Sequence, residues 1–309
     1  MKVLITGGAG YIGAALLHKL SKIDSITQIT VYDNLSNGNY NIFWKQFGEL
    51  SNKVQFELGD MLDSRKLQKV VKKHNNVIHL AAKVAPAYAD VDSHNYEQVN
   101  HWGTAELAYA IEQAPIEKVI HLSSTSVYGS SAEPLGEAAQ PNPKNFYGIS
   151  KLRGEEHIKR LEEKINTITF RVGNVYGFSP AMSFETVINK FLFDAHFKNR
   201  ISIHGNGLQS RGFISIDKVT DTITSAITNE IASGTYNLSD KNLQILDIVD
   251  VLKEIYPSLE FIFMNQHLAL RDLKIAPSEK LSKYIQIAPS DFKQEIETFK
   301  NNFAFNPSF

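Results

Sequence analysis

The sequence predicts an α/β protein built on a doubly wound parallel sheet. Two observations carry that expectation. Short apolar runs alternate with amphipathic stretches through the first half of the chain, and the first run enters a glycine-rich turn that opens a helix. With 309 residues, 43% hydrophobic and 21% charged, the chain is long and apolar enough to bury a substantial core, which excludes a disordered or fibrous protein.

Taken in order, Val3–Thr6 reads as a buried strand and Ala14–Ser21 as the helix that follows it. Strands are expected at Ile29–Tyr32 and Val54–Glu57, then a helix at Arg65–Lys73 with Leu67, Val70 and Val71 on one face. Val77–Leu80, Val119–Leu122 and Thr167–Arg171 continue the strands, and residues 95–114 and 147–164 read as helices between them. Strands alternating with helices imply right-handed crossovers and a sheet covered on both faces. After Gly177 the rhythm changes. A helix over Ala181–Phe197, a strand at Ile201–His204, a loop over Gly205–Arg211, a helix at Asp217–Thr228 and a strand at Gly234–Ser239 are expected. Residues 243–309 mix two or three helices with turns at Pro257, Pro277 and Pro289. No linker separates the parts, so a second, smaller C-terminal α/β domain is interleaved with the first. The expected division is 1–177 with 213–239 for the first, and 178–212 with 240–309 for the second.

The balance of 32 Lys+Arg against 33 Asp+Glu, a net charge of -1, argues against a nucleic-acid partner or an anionic membrane surface. Zero cysteines remove disulfides and thiol chemistry and fit a reducing, cytoplasmic setting. No apolar run approaches the ~18 residues of a membrane helix. The ten histidines have no paired ligand spacing, so no metal site is expected.

Residues 6–13 read T-G-G-A-G-Y-I-G. Gly8, Gly10 and Gly13 satisfy G-x-G-x-x-G, and Gly7, Gly10 and Gly13 satisfy G-x-x-G-x-x-G. Both patterns permit a tight turn, close backbone approach to a pyrophosphate, and a helix N-terminus facing it. Asp33 lies 20 residues after Gly13, where a carboxylate accepts from ribose hydroxyls and repels a 2′-phosphate, which favours NAD over NADP. Asp60, after the next strand, is placed to meet the adenine amino group.

Tyr147 and Lys151 in Y-G-I-S-K share a helix face. An ammonium beside a phenol stabilises phenolate, the base that alcohol oxidation needs. Upstream, S-S-T-S-V-Y-G brings Ser124 to the carboxyl edge of the sheet, as a donor to a substrate oxygen. The pairs Asn75-Asn76 and Glu155-Glu156 read as a solvated turn and a solvated helix face.

These motifs occur in order with D-N-L-S-N-G from Asp33, H-L-A-A from His79, V-N-H-W-G-T from Val99, R-V-G-N-V-Y-G at 171–177 and G-N-G-L-Q-S-R-G-F-I-S-I-D at 205–217. The chain resembles the extended short-chain dehydrogenase/reductase family, in its nucleotide-sugar epimerase/dehydratase branch. The resemblance thins over the last 60 residues. It implies a Rossmann-type fold with NAD held by Gly7, Gly10, Tyr11, Ile12, Gly13, Asp33, Asn34, Asp60, Met61, Ala81 and Lys151. It implies Tyr147 as base, Lys151 as its ribose-binding partner, Ser124 on the substrate hydroxyl, and Asn100 behind the Tyr–Lys pair. Asn174, Arg211 and Arg271 are implied on the diphosphate of the sugar nucleotide.

The departures bear on the reaction. The family's dehydratases carry an acidic pair after the residue at 124, where this chain has Thr125 and Ser126, which argues against water elimination. Val172 and Gly173 stand where the family has aromatic residues, which either enlarges the pocket or frees the substrate's position, and leaves the sugar's identity open. The resulting expectation is an NAD-dependent nucleotide-sugar 4-epimerase acting on an NDP-hexose. The alternatives are a 4-keto-sugar reductase or decarboxylase, and a non-catalytic NAD-binding regulator. A homodimer is expected on helices 95–114 and 147–164, through Ala105, Leu107, Ala108, Ile111, Ile149, Leu152, Ile158 and Leu161.

Overall fold

The computed structural model describes residues 1–44, 52–84, 92–265 and 270–307. In chain order its strands are β1 (Lys2–Thr6), β2 (Gln28–Asp33), β3 (Val54–Leu58), β4 (Asn76–His79), β5 (Lys118–Ser124), β6 (Ser131–Leu135) and β7 (Asn166–Val172). They continue with β8 (Asn174–Tyr176), β9 (Arg200–His204), β10 (Ser210–Ser215), β11 (Gly234–Leu238), β12 (Lys241–Gln244), β13 (Glu260–Met264) and β14 (Leu273–Ile275). The helices are α1 (Tyr11–Leu20), α2 (Ser64–Val71), α3 (Ser93–Tyr96), α4 (Gly103–Glu112), α5 (Phe146–Lys159), α6 (Val187–Lys198), α7 (Ile216–Thr228), α8 (Ile245–Ile255), α9 (Glu279–Ser282) and α10 (Phe292–Lys300).

Seven strands form a sheet in the order β11-β7-β5-β4-β1-β2-β3, with every neighbouring pair parallel. Side chains alternate across it. Val3 and Ile5 join one core with Leu16, Leu17, Val219 and Ile223, from α1 and α7. Leu4 joins the opposite core with Leu67, Val70, Leu107, Ile111 and Ile158, from α2, α4 and α5. Chain order reverses direction between β1 and β4, so the loops leaving these two strands part and open a crevice at the carboxyl edge.

A second, five-stranded sheet runs β12-β10-β14-β6, with β8 also on β10. By pairing, Ser131–Leu135 and Asn174–Tyr176 belong to this sheet although both precede residue 177. Pro134 is tolerated because β6 is an edge strand. The strands β12, β13 and β14 were not anticipated within the C-terminal stretch.

Two helical expectations change. The helix expected over Ala181–Phe197 begins only at Val187, because Thr186 is extended and the Asn189 side chain ties down the preceding segment, accepting from Gly177 N and donating to Ser183 O. Residues 95–112 are helical, ending two short of the expected 114, but widen into a π-turn over Glu97–Trp102. The apolar residues expected to make a dimer also have another occupation. Leu107, Ala108, Ile111, Ile158 and Leu161 are buried within the single chain, in one core with Leu4, Val77 and Val119 of the sheet, and Ala105 is buried too. No helix among the described residues is long and apolar enough to cross a membrane.

Candidate active site

A cavity of about 620 Å³ occupies the crevice and extends between the two sheets. Its floor is the glycine-rich turn. Gly7 has φ +71° and a side chain there would meet the Ala81 backbone at 2.5 Å, so the β1 and β4 loops pass in direct contact. Gly13 packs on Gly8, where a Cβ would come within 2.5 Å of the Gly8 carbonyl, and this lets α1 start against the turn. Gly7, Gly10, Tyr11, Ile12, Gly13 and Ala81 all line the cavity. The backbone cradle leaves room for a pyrophosphate at the helix N-terminus, so the residues fit a dinucleotide.

Asp33 ends β2 and is held in place, its carboxylate accepting from Ala9 N at 3.0 Å and Leu35 N at 2.8 Å. Asn34 donates to Asp60 Oδ2 at 2.8 Å, and Leu62 N donates to Asp60 Oδ1 at 2.9 Å. Asp33, Asn34, Asp60 and Met61 line one end of the cavity. Tyr11 reaches further than its place in the motif indicated: its hydroxyl donates to the Gly177 carbonyl at 2.7 Å and accepts from Asn189 at 3.0 Å. Burial pushes this phenol well above its ordinary pKa.

The residues expected to react stand on α5 and the end of β5. Asn145 caps α5, accepting from Gly148 N at 2.8 Å. Gly148 lets the helix close on the β5 turn, since a Cβ there would meet the Ser126 carbonyl at 2.6 Å. Tyr147, Lys151 and Ser124 thereby reach one wall, with a hydrogen bond between the Ser124 and Tyr147 side chains. The Lys151 ammonium donates to the Leu122 carbonyl at 2.5 Å, and burial pulls its pKa down to about 8 against the opposing pull of Glu155. The phenol of Tyr147 differs from expectation. Its pKa is raised, because burial outweighs the Ser124 hydrogen bond, and the ammonium is engaged by the strand carbonyl.

Asn100 is buried behind this wall and does not line the cavity. Its amide accepts from Lys83 N at 2.8 Å and donates to Lys83 O at 2.9 Å and Ser150 Oγ at 3.0 Å, clamping the β4 loop to α5. Beneath lie His79 and His121, buried and stacked with centroids 5.1 Å apart. Burial and the Lys151 charge hold His79 neutral, its pKa lowered to about 3.

The opposite wall comes from the second sheet. Asn174 lines the cavity and donates to the Gly212 carbonyl at 3.1 Å. Arg211 also lines it, and its Nη1 donates to Ser210 O at 2.9 Å and to the Arg271 carbonyl. Arg271 is exposed and is not among the lining residues; its backbone, rather than its side chain, meets Arg211. Val172 lines the pocket, but Gly173 has another reason to be small: a Cβ there would come within 2.8 Å of the Gly212 carbonyl, so glycine permits the two strands to approach. Two solvated readings are also corrected. Asn76 is buried in β4, and Glu155 is buried in a two-pronged ion pair with Arg171, while Glu156 alone of its pair is exposed.

A fold wound to split at the β1–β4 crevice, with a glycine-rich turn opening a helix on one side of the cavity, is the architecture of a dinucleotide-binding α/β protein. Residues 3–239 match the model of the NAD dependent epimerase/dehydratase family, and the chain belongs to that family. The cofactor expected from Asp33, NAD, is the one the family's description carries. The chain is 31% identical over 261 residues to dTDP-D-glucose 4,6-dehydratase of Mus musculus, a match spanning 82% of this chain and 72% of the relative. It is 30% identical over 262 residues to a putative UDP-glucose 4-epimerase of Methanocaldococcus jannaschii, covering 81% of each. Among solved structures, UDP-glucuronic acid 4-epimerase from Bacillus cereus, in complex with UDP-glucuronic acid and NAD, superposes with TM-score 0.82 at 28% identity. That match covers 97% of this chain and 98% of the other.

Proposed function

We propose that the protein is a nucleotide-sugar 4-epimerase. The observation that carries this reading is the residue pair after Ser124. A 4,6-dehydratase needs a carboxyl group beside the oxidised sugar to eliminate water, and Thr125 and Ser126 offer only hydroxyls there. The other lining carboxylates are distant in role: Asp33 and Asp60 sit at the adenosine end, and Glu185 is exposed on the rim.

NAD, when bound, supplies the hydride acceptor and the hydride that returns. The chain's residues supply the rest. Tyr147 takes the proton of the C4 hydroxyl and gives it back, Ser124 holds that oxygen, and Lys151 provides the positive charge behind both. Arg211 and Asn174 meet the diphosphate, with Arg271 swinging in from the rim, and so hold the nucleotide while the keto sugar turns between two faces.

We also propose a homodimer on the α4–α5 face. The support is no longer the apolar set named from the sequence. It is the aromatic surface left exposed there: Trp102 and Tyr109 are 49% and 42% exposed, and His101, His157 and Arg160 stack among them. Light scattering at micromolar concentration is expected to give twice 34.7 kDa, and a mass near 35 kDa would refute it.

Incubation with UDP-, dTDP-, GDP- and CDP-sugars, with products read by NMR, tests the main reading. A 4-epimer formed with no net NADH is the expected result. A 4-keto-6-deoxy sugar would establish dehydration instead.

A further inference from the structure

Tyr147, Lys151 and Glu155 recur every fourth residue along one face of α5, and that face meets three consecutive residues of β5. Tyr147 pairs with Ser124, Lys151 donates to the Leu122 carbonyl, and Ser123 Oγ donates to Glu155 Oε1 at 2.5 Å. Arg171 stands beside Ser123 in the β5–β7 register and grips the same carboxylate, through Nε at 3.0 and 3.2 Å and Nη2 at 2.7 Å. The guanidinium is seated 4.8 Å from the Tyr128 ring centroid. Lys151, Glu155 and Arg171 are 3%, 7% and 6% exposed, so the whole arrangement is out of water.

We propose that Glu155, locked by Arg171 and Ser123, is a positioning residue for the reaction: it keeps Lys151 charged and seated on β5 behind Tyr147. The inference rests on reading Lys151 as part of the reacting set, but not on which sugar-nucleotide reaction follows.

The surroundings leave this task to Glu155. His79 from β4 and His121 from β5 face Lys151 as neutral rings, Tyr147 precedes it on α5, and Tyr128 and Arg171 lie beyond Glu155. Among the described residues the carboxylate acting on the ammonium is Glu155, and it opposes the burial that drives the proton off. Packing alone does not call for such a device, because a buried ion pair is commonly matched in stability by apolar side chains of similar volume. Arg171 and Ser123 in turn fix the carboxylate, so that it presents its charge to α5 without moving away.

The test is a titration of Lys151 by two-dimensional NMR in full-length protein saturated with NAD and labelled with [13Cε]lysine, the signal being assigned by its loss in Lys151→Met. Glu155→Gln leaves Arg171 unpaired and is expected to lower Tm. Glu155→Gln/Arg171→Met removes both charges at similar volume and is expected to recover most of that loss. In Glu155→Gln the Lys151 midpoint should fall by about one pH unit; in the double variant, where the opposing Arg171 charge is lost as well, it should fall by less, and Glu155→Asp, which keeps the charge, should stay near wild type. A folded Glu155→Gln protein that titrates within about 0.2 unit of wild type overturns the proposal, since one charge at this range shifts a pKa by more. If Glu155→Gln does not fold, Glu155→Asp decides: a Lys151 midpoint about one pH unit below wild type, with the carboxylate charge retained, overturns the proposal. The midpoint is read without substrate, so failure to epimerise any sugar nucleotide leaves this measurement standing.

Discussion

On the β5–α5 wall of the cavity, Tyr147, Lys151 and Ser124 are tied to one another or to the strand, and Lys151 is 3% exposed. On the facing wall, Arg211 is half-buried with its fork turned to two backbone carbonyls, and Arg271 is exposed. The first wall is set before any ligand arrives, because moving a buried, bonded group costs the interaction that holds it. Under the proposed function, the second wall exchanges backbone partners for phosphate. The proposed function accordingly assigns chemistry to the preset side and recognition to the adjustable side.

The sharpest way to break this contrast is Tyr147→Phe. The ring still packs but the base is gone, so turnover should fall ~10²–10⁴-fold. NAD affinity, read by titration calorimetry, should hardly change. Turnover within threefold of wild type would remove Tyr147 from the mechanism and with it the assignment of chemistry to this wall.

Arg211→Ala probes the other side. Losing a charge-assisted contact costs ~1.5–3 kcal/mol, or roughly 10–150-fold in the dissociation constant of a nucleoside diphosphate. NAD binding should be unaffected. Equal binding of a nucleoside diphosphate to wild type and mutant would make Arg211 a structural residue and reverse the orientation proposed for the substrate.

A smaller effect is expected at the adenosine end. Wild type should prefer NAD to NADP, and Asp33→Ser should narrow that preference by about tenfold, since it removes both ribose acceptance and repulsion of the 2′-phosphate. If wild-type protein binds the two cofactors equally well, Asp33 does not discriminate between them.

The mildest test is pH. Lys151 is charged below about 8 and neutral above it. A mechanism that needs the ammonium therefore loses activity as pH rises through that value. Turnover measured from pH 6 to 10 with saturating substrate should show this alkaline limb, and a flat profile to pH 10 would mean the charge is dispensable.

Much of the active wall was legible because it is local. The turn from Gly7 to Gly13, the carboxylate 20 residues later and the four-residue step from Tyr147 to Lys151 each express one backbone geometry within one or two elements. Glu155 was misread for the opposite reason. On its own helix it is one of two adjacent glutamates, and its burial comes from Arg171, brought alongside only when β7 pairs with β5. The same applies to Ser131–Leu135, whose strand character depends on Leu273–Ile275 pairing with it from far along the chain.

By itself, then, the sequence determined the alternation that winds the seven-stranded sheet, the glycine-rich turn, and the helix face that Tyr147 shares with Lys151, because periodicity and short spacing dictate which face of an element each residue occupies. Tertiary structure alone decided which charges are buried, which polar groups find partners, and that Arg271 stands outside the cavity while Glu155 lies inside the core. Those outcomes depend on surface removed from water by elements distant in the chain, and no local pattern encodes that burial.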